Sequence, residues 1–281
     1  SVLNQNYPNL EYFIIDGGST DNSVEIIKKY GKYLTYWVSE PDKGQSDALN
    51  KGFELATGDY LTWVNSDDIL LPGALNAISR EIITNPNIRW ITGNLVFIDA
   101  NDRIIRCSRL PHYNRLLAKL GILPVGGPST FFARSLYQSV GGFRNELIYN
   151  MDYDLWFRFH KKGVKYHRIP EYLMAFRSHE SSKTLSSFSN KNLMKNNQKN
   201  PFLSLMNIKY SSIKQKKERE LLTKRYRNKT LLPLGGLLHC FRQVLNGNYL
   251  KARYDLIRMH RRRWQEVFCV DPHSGQQRIL I

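Results

Sequence analysis

Over the first 85 residues, short apolar runs that end at acidic or glycine-rich turns alternate with segments of helical periodicity. Residues 11–15 (Glu-Tyr-Phe-Ile-Ile) form one such run and stop at Asp16-Gly17-Gly18-Ser19-Thr20-Asp21. Ser and Asp there are set to cap a helix up to Tyr30, with Gly31 as its stop. A strand is expected at 35–39. A helix follows at 45–56, with Ala48, Leu49, Phe53 and Ala56 on one face and Gly58 after its end. The next run, 60–64, reads as a strand. Pro72 then opens a helix whose buried stripe is Leu75, Ile78 and Ile82. Strand and helix alternating in this way predict an α/β fold, with a mostly parallel sheet flanked by helices.

After Pro86 the rhythm changes. Residues 90–98 and 104–109 read as strands around an Ala100-Asn101-Asp102 turn. A loop with Gly126-Gly127-Pro128 leads to an apolar stretch at 129–133. Gly141-Gly142 precedes a helix at 152–162 that turns Leu155, Trp156 and Phe159 inward, and a strand is expected at 172–177. Residues 181–200, rich in Ser, Asn and Lys, read as a linker. The chain therefore divides into an α/β unit, 1–190, and a basic linker with a helical C-terminal extension, 191–281.

Charge reinforces that division. Residues 1–190 carry 21 Lys and Arg against 19 Asp and Glu, whereas residues 191–281 carry 20 against 5. The overall net charge of +17 is thus a property of the tail. Three cysteines, far apart and with no C-x-x-C pair, argue against a disulfide framework or a zinc site, and a reducing compartment is expected. No run of about 18 apolar residues offers a membrane span. Ser1-Val2-Leu3-Asn4-Gln5 reads as the tail of a helix already under way, so the chain is expected to be N-terminally truncated.

The chemistry-bearing positions sit at the ends of the predicted elements: Asp16, Asp67-Asp68, Asp152 and His179. Acids at the carboxyl edge of an open α/β sheet lie where such folds hold ligands. Adjacent carboxylates suit Mg²⁺ or Mn²⁺, ions that commonly serve phosphates. Each position also has a plainer use. Asp16 and Asp21 can cap the following helix, Asp152 stands where an N-cap would stand, and a lone His179 suits a surface. Asp67-Asp68 resist that reading, because two carboxylates after a buried strand repel one another without a cation.

The order of six segments resembles the family 2 glycosyltransferases with the GT-A fold. They are Asp16-Gly17-Gly18-Ser19-Thr20-Asp21, Gly44-Gln45-Ser46-Asp47-Ala48-Leu49-Asn50-Lys51-Gly52, Asn65-Ser66-Asp67-Asp68, Gly141-Gly142-Phe143, Met151-Asp152-Tyr153-Asp154-Leu155-Trp156 and Arg177-Ser178-His179. The resemblance covers residues 1 to about 185 and implies a Rossmann-like GT-A domain whose first strand is missing from this chain. It implies a nucleotide-sugar donor (UDP-, GDP- or dTDP-linked) and a glycan or lipid-linked acceptor. Asp16 and Asp67 would contact the nucleoside, Asp47 would line the donor, and Asp68 with His179 would hold Mg²⁺ or Mn²⁺. Asp152 would be the base of an inverting transfer, with Asp154 supporting it. Asn65 replaces the family's usual leading Asp, Leu49 its usual Arg, and Met151 the Glu that usually precedes the base.

Bacterial cell-surface polysaccharide synthesis is the setting that the resemblance implies, in the cytoplasm or peripherally on the inner face of the plasma membrane. For the tail, cationic residues interleaved with Trp264, Phe and Leu are expected either to lie on an anionic membrane or to pack on the catalytic unit. Two alternatives remain: a sugar-nucleotide pyrophosphorylase-like enzyme, and a non-catalytic basic protein binding nucleic acid or membrane. No RNA- or DNA-binding signature accompanies the basic residues, so no nucleic-acid partner is expected.

Overall fold

The computed structural model describes residues 1–119, 122–178, 248–271 and 277–279. A 3₁₀ turn at Leu3–Gln5 leads into β1 (Phe13–Asp16), α1 (Ser23–Tyr30), β2 (Tyr36–Ser39), α2 (Gln45–Leu55), β3 (Tyr60–Leu61), β4 (Ile69–Leu70) and α3 (Ala74–Thr84). The second half holds β5 (Trp90–Ile98), β6 (Ile104–Ser108), α4 (Arg115–Lys119), β7 (Thr130–Ala133), α5 (Arg134–Ser139), α6 (Met151–Lys161) and β8 (His167–Arg177). Near the C-terminus come α7 (Asn248–Met259), α8 (Trp264–Val267), β9 (Phe268–Val270) and β10 (Gln277–Ile279).

The strands form a two-stranded β1–β2 sheet, a six-stranded sheet ordered β3-β7-β5-β8-β4 with β6 also on β5, and a β9–β10 pair. The α/β class read from the sequence is present, but the expectation of a mostly parallel sheet needs correction. Among the described residues only β1–β2 and β5–β8 pair in parallel, while the β3–β7, β4–β8, β5–β6, β5–β7 and β9–β10 ladders are antiparallel. In the large sheet only β5–β6 is a hairpin of consecutive strands; β3–β7, β4–β8 and β5–β7 pair segments far apart in the chain, whose direction the local pattern does not fix.

β5 is the spine of the large sheet. Its first residues pair with β7, its last with β6, and its other edge runs along β8. Side-chain alternation then divides the core. Trp90 and Phe132 enter a cluster with Leu155, Trp156 and Phe159 of α6, while Ile91 and Phe131 enter one with Leu75 and Ile78 of α3. Trp156 stacks between Trp63 and Trp90, with ring centroids 6.1 and 5.4 Å away. That stacking also shortens the strand expected at 60–64. After Leu61 the chain turns Trp63 into the aromatic cluster, and the Thr62 hydroxyl donates to Thr130 O at 2.9 Å.

A third cluster joins β5, β6 and β8 to the C-terminal segment. Val96, Ile98, Ile104, Cys107 and Tyr172 pack there with Met259, Val267 and Phe268. Arg109 grips the buried Asp255 of α7 through Nε at 2.5 Å and Nη2 at 3.1 Å, and Tyr172 donates to the same carboxylate. Residues 248–271 thus pack on the sheet, one of the two placements open for the tail. The linker at 181–200 lies outside the described residues.

Candidate functional site

The acidic positions gather at the carboxyl ends of β1, β2 and β8 and around the amino end of α2. Asp16 ends β1 and folds its own loop. Its Oδ2 accepts from the amides of Gly18 and Ser19 and from the Ser39 hydroxyl at the end of β2, and its Oδ1 accepts from the Ser19 hydroxyl. The hydroxyl bonds from Ser19 and Ser39 hold its pKa down to about 2, so Asp16 stays ionised at any ordinary pH. Asp21 accepts from the Ser23 amide in a tight turn before α1, whose N-cap position belongs to Asn22, so Asp21 is not the expected cap.

Segment 44–52 builds α2 and binds it to the loops opposite. Gly52 lies so close to β1 that a Cβ there would stand 3.2 Å from Ile15 Cγ1. The Asp47 carboxylate accepts from the Lys43 amide and from Asn145 Nδ2, both at 3.1 Å, with Lys51 Nζ at 3.8 Å. Asn50 clamps the Phe143 backbone. Leu49, where the family would place an arginine, packs against the aromatic core instead.

The turn after Trp63 carries the acid pair. Asp68 is only 4% exposed, and both its oxygens accept hydrogen bonds: Oδ1 from the Arg177 amide at 2.9 Å and Oδ2 from Asn65 Nδ2 at 2.7 Å. Asn65 Oδ1 in turn accepts from Gln45 Nε2 at 2.7 Å, which couples the turn to α2. Burial, reinforced by the charge of Asp67, pushes the Asp68 pKa up to about 6 against the bond from Arg177. A buried carboxylate whose direct hydrogen bonds come from neutral amides is a site that a cation would relieve.

Among the described residues no group of three or more His, Cys, Asp or Glu side chains comes together to hold a metal. The donor set still suits Mg²⁺ or Mn²⁺. Such ions are often held by one or two carboxylates and completed by substrate phosphates and water. His179 lies outside the described residues. Its neighbour Ser178 is placed by a bond from its amide to Ile98 O at 2.8 Å.

Asp152 sits in the first turn of α6. The N-cap position belongs to Asn150, in the left-handed conformation, so Asp152 is not the cap. Its Oδ1 accepts from the Tyr153 amide at 2.7 Å, and its Oδ2 lies beside Gly127, where a Cβ would stand 2.6 Å away. The same point is 3.5 Å from Trp63 Cζ2, two residues before Asn65. Asp152 thus lies beside the Gly127 loop, close to the edge of the Trp63 ring. Asp154 is fully buried and is held by Arg158 at 2.7 Å and Arg144 at 3.1 Å, a structural ion pair inside the domain.

Sequence reasoning missed Gln45, Asn50 and Arg177 as individual actors. All three stood within quoted motifs, but their work is done on distant segments, Gln45 through the Asn65 side chain and Asn50 and Arg177 largely through backbone atoms, which spacing alone does not reveal.

Comparison with known proteins bears on the family and the fold. The family model described as glycosyl transferase family 2 matches residues 1–141. A glycosyltransferase of Rickettsia prowazekii is 28% identical over 177 residues, which are 59% of this chain and 54% of that protein. The chain thus spans about half the length of that relative. Among solved structures, TarS of S. aureus in complex with UDP-GlcNAc matches with a TM-score of 0.52 at 17% identity, over 64% of this chain and 54% of that one. The mannosyltransferase PcManGT of Pyrobaculum calidifontis, in complex with GDP-Man and Mn²⁺, matches with a TM-score of 0.50 at 16% identity, over 89% of this chain and 74% of that one. At these identities the likeness is one of fold, and the fold is GT-A.

Proposed function

The chain belongs to glycosyl transferase family 2, and from that premise we propose that it moves a sugar from a nucleotide-sugar donor to an acceptor hydroxyl, with inversion and with a divalent cation. The observation that carries this reading is Asp68: a buried carboxylate beside Asp67, at the carboxyl end of β8, with its pKa raised to about 6. Asp68 is the metal ligand in this reading, Asp67 borders the ribose and metal, and Asp16 and Asp47 border the donor. A bound Mg²⁺ or Mn²⁺ would offset the charge that develops on the departing diphosphate. Asp152 accepts the acceptor hydroxyl's proton as that oxygen attacks the anomeric carbon and the bond to the diphosphate breaks. The neighbours crystallised with UDP-GlcNAc and with GDP-Man and Mn²⁺ support the choice of donor class and ion.

The proposed setting is bacterial cell-surface polysaccharide synthesis, with a glycan or lipid-linked acceptor. For location we propose the cytoplasmic side, with attachment to an anionic membrane. The exposed Leu250, Tyr254 and Ile257 of α7, flanked by Lys251, Arg253 and Arg258, support that attachment. No helix among the described residues is long and apolar enough to cross a membrane. Sedimentation with anionic but not neutral vesicles tests the attachment, and equal sedimentation with both removes it.

Titration of UDP by calorimetry, with Mn²⁺ and then with EDTA, tests the site on wild type and Asp68→Ala. Metal-dependent binding that disappears in the variant is the expected result. Binding indifferent to metal and to Asp68 would remove the reading.

A further inference from the structure

Residues 261–265, far beyond the segment that the family model matches, run beside the turn between β5 and β6. The Arg261 amide donates to Ile104 O at 2.7 Å, the Ile104 amide to Arg262 O at 2.9 Å, and the Trp264 amide to Asp102 O at 3.1 Å. Gln265 Nε2 donates to Asp102 Oδ2 at 3.0 Å. Asp102 has a left-handed backbone, φ 66°, a conformation that Asp tolerates better than most residues. Its other carboxylate oxygen accepts from Arg177 Nη2 at 2.6 Å.

Arg177 spends the rest of its donors on two turns. Nη1 donates to Asp99 O at 3.0 Å, Nε to Asp67 O at 2.9 Å, and the backbone amide to Asp68 Oδ1 at 2.9 Å. The side chain thus fixes the acidic turn through a backbone carbonyl, and its charge is matched by Asp102. This division of labour matters for a cation site. A guanidinium that paired directly with Asp68 would neutralise the carboxylate and compete with a metal ion. Here Asp102 holds the guanidinium on a carbonyl instead, and Gln265 and the Trp264 amide hold Asp102.

We propose that Asp102 and Arg177 are positioning residues of the donor site, and that residues 264–265 brace the Asp67-Asp68 turn through them in the form that takes a divalent cation together with a nucleoside diphosphate. The proposal rests on the metal-dependent reading of Asp68 given above. It also makes the C-terminal segment part of the site rather than an appendage.

The test uses the full chain and UDP, with Mn²⁺ or EDTA, on wild type, Asp102→Ala, Asp102→Asn and Gln265→Ala. Asp102→Ala frees Arg177 to swing onto Asp68, and UDP binding with Mn²⁺ is expected to weaken about tenfold, as for loss of groups that orient metal ligands. Binding in EDTA stays at the wild-type level. Asp102→Asn keeps an acceptor for Arg177 and recovers part of the loss. Gln265→Ala, a change at an exposed side chain that leaves the fold intact, gives a smaller loss of the same metal-dependent kind. It also speeds hydrogen exchange at the Asp68 and Arg177 amides. Wild type that binds while Asp102→Ala binds equally well, or loses as much in EDTA as in Mn²⁺, overturns the brace and leaves the donor site standing. Wild type without metal-dependent UDP binding overturns the donor-site reading, and this proposal with it.

Discussion

Asn50 is hydrogen-bonded twice to the backbone of Phe143: its Nδ2 donates to the carbonyl at 2.9 Å and its Oδ1 accepts from the amide at 3.0 Å. One side chain of α2 thereby replaces a strand's worth of pairing for the turn that follows Gly141-Gly142. Asn50→Ala leaves that carbonyl without the Asn50 donor and the amide with only the Tyr137 hydroxyl at 3.1 Å, and a loss of about 2 kcal/mol in unfolding free energy is expected. Asn50→Asp keeps the acceptor and loses the donor, and falls between. Urea unfolding of the three proteins checks the order, and an alanine variant as stable as wild type would remove the clamp.

Gly127 is the position from which the proposed base can be disturbed without touching it. Alanine there would put a methyl carbon 2.6 Å from Asp152 Oδ2, so the carboxylate must leave its present rotamer. Displacing a reacting group by about an ångström costs on the order of 100-fold in turnover. UDP affinity, set by the turn at Asp67-Asp68, should not change. Turnover with a nucleotide-sugar donor, alongside UDP titration, separates the two effects. Unchanged turnover would argue against Asp152 as the base.

Asp68 predicts a conflict between stability and binding. Its folded pKa of about 6 lies above the ordinary 3.8, so the ionised form is the one that folding disfavours. The stability tied to its proton is fully present below pH 3.8 and is lost as pH rises through about 6. In metal-free protein at pH 8, Asp68→Asn should therefore gain roughly 1–2 kcal/mol, the amide's mismatch with Asn65 Nδ2 taking back part of the relief. At pH 4 the gain should vanish. Thermal unfolding at both pH values measures this, and a variant destabilised equally at both would contradict it.

Asp152 and Asp154 stand two residues apart and are expected to fail differently. Asp154→Ala strands Arg158 and Arg144 around a fully buried position, at a cost of roughly 3–5 kcal/mol in stability. Asp152→Asn should leave the unfolding midpoint near wild type and abolish transfer. Circular dichroism melts with a turnover assay distinguish them, and the reverse pattern would exchange the two roles.

Much of this molecule was legible in its sequence because the relevant physics is local. Helical periodicity and a following Gly placed α2 within a residue of its observed end, and periodicity alone did so for α6. The turn at 100–102 gave the β5–β6 hairpin. Asp16 fell at the end of β1, as the apolar run before it implied, whereas Asp67-Asp68 stand just before β4, six residues and more beyond the end of β3. Short-range rules of that kind do not fix which strand lies beside which. The antiparallel ladders of the large sheet, and the early end of β3 where Trp63 enters the core, follow from packing between segments far apart in the chain.

The sequence by itself determined the α/β class, the family and the candidate acids, since each rests on residue type and nearby spacing. Only the tertiary structure decided what those acids touch. It showed Asp154 locked between two arginines and Asp16 bound to its own loop. It showed Asp68 buried under the Arg177 amide, and it brought Gln265 to Asp102 across 163 residues of chain. Those relations depend on burial and on hydrogen bonds between distant backbone segments, and neither is fixed until the sheet has assembled.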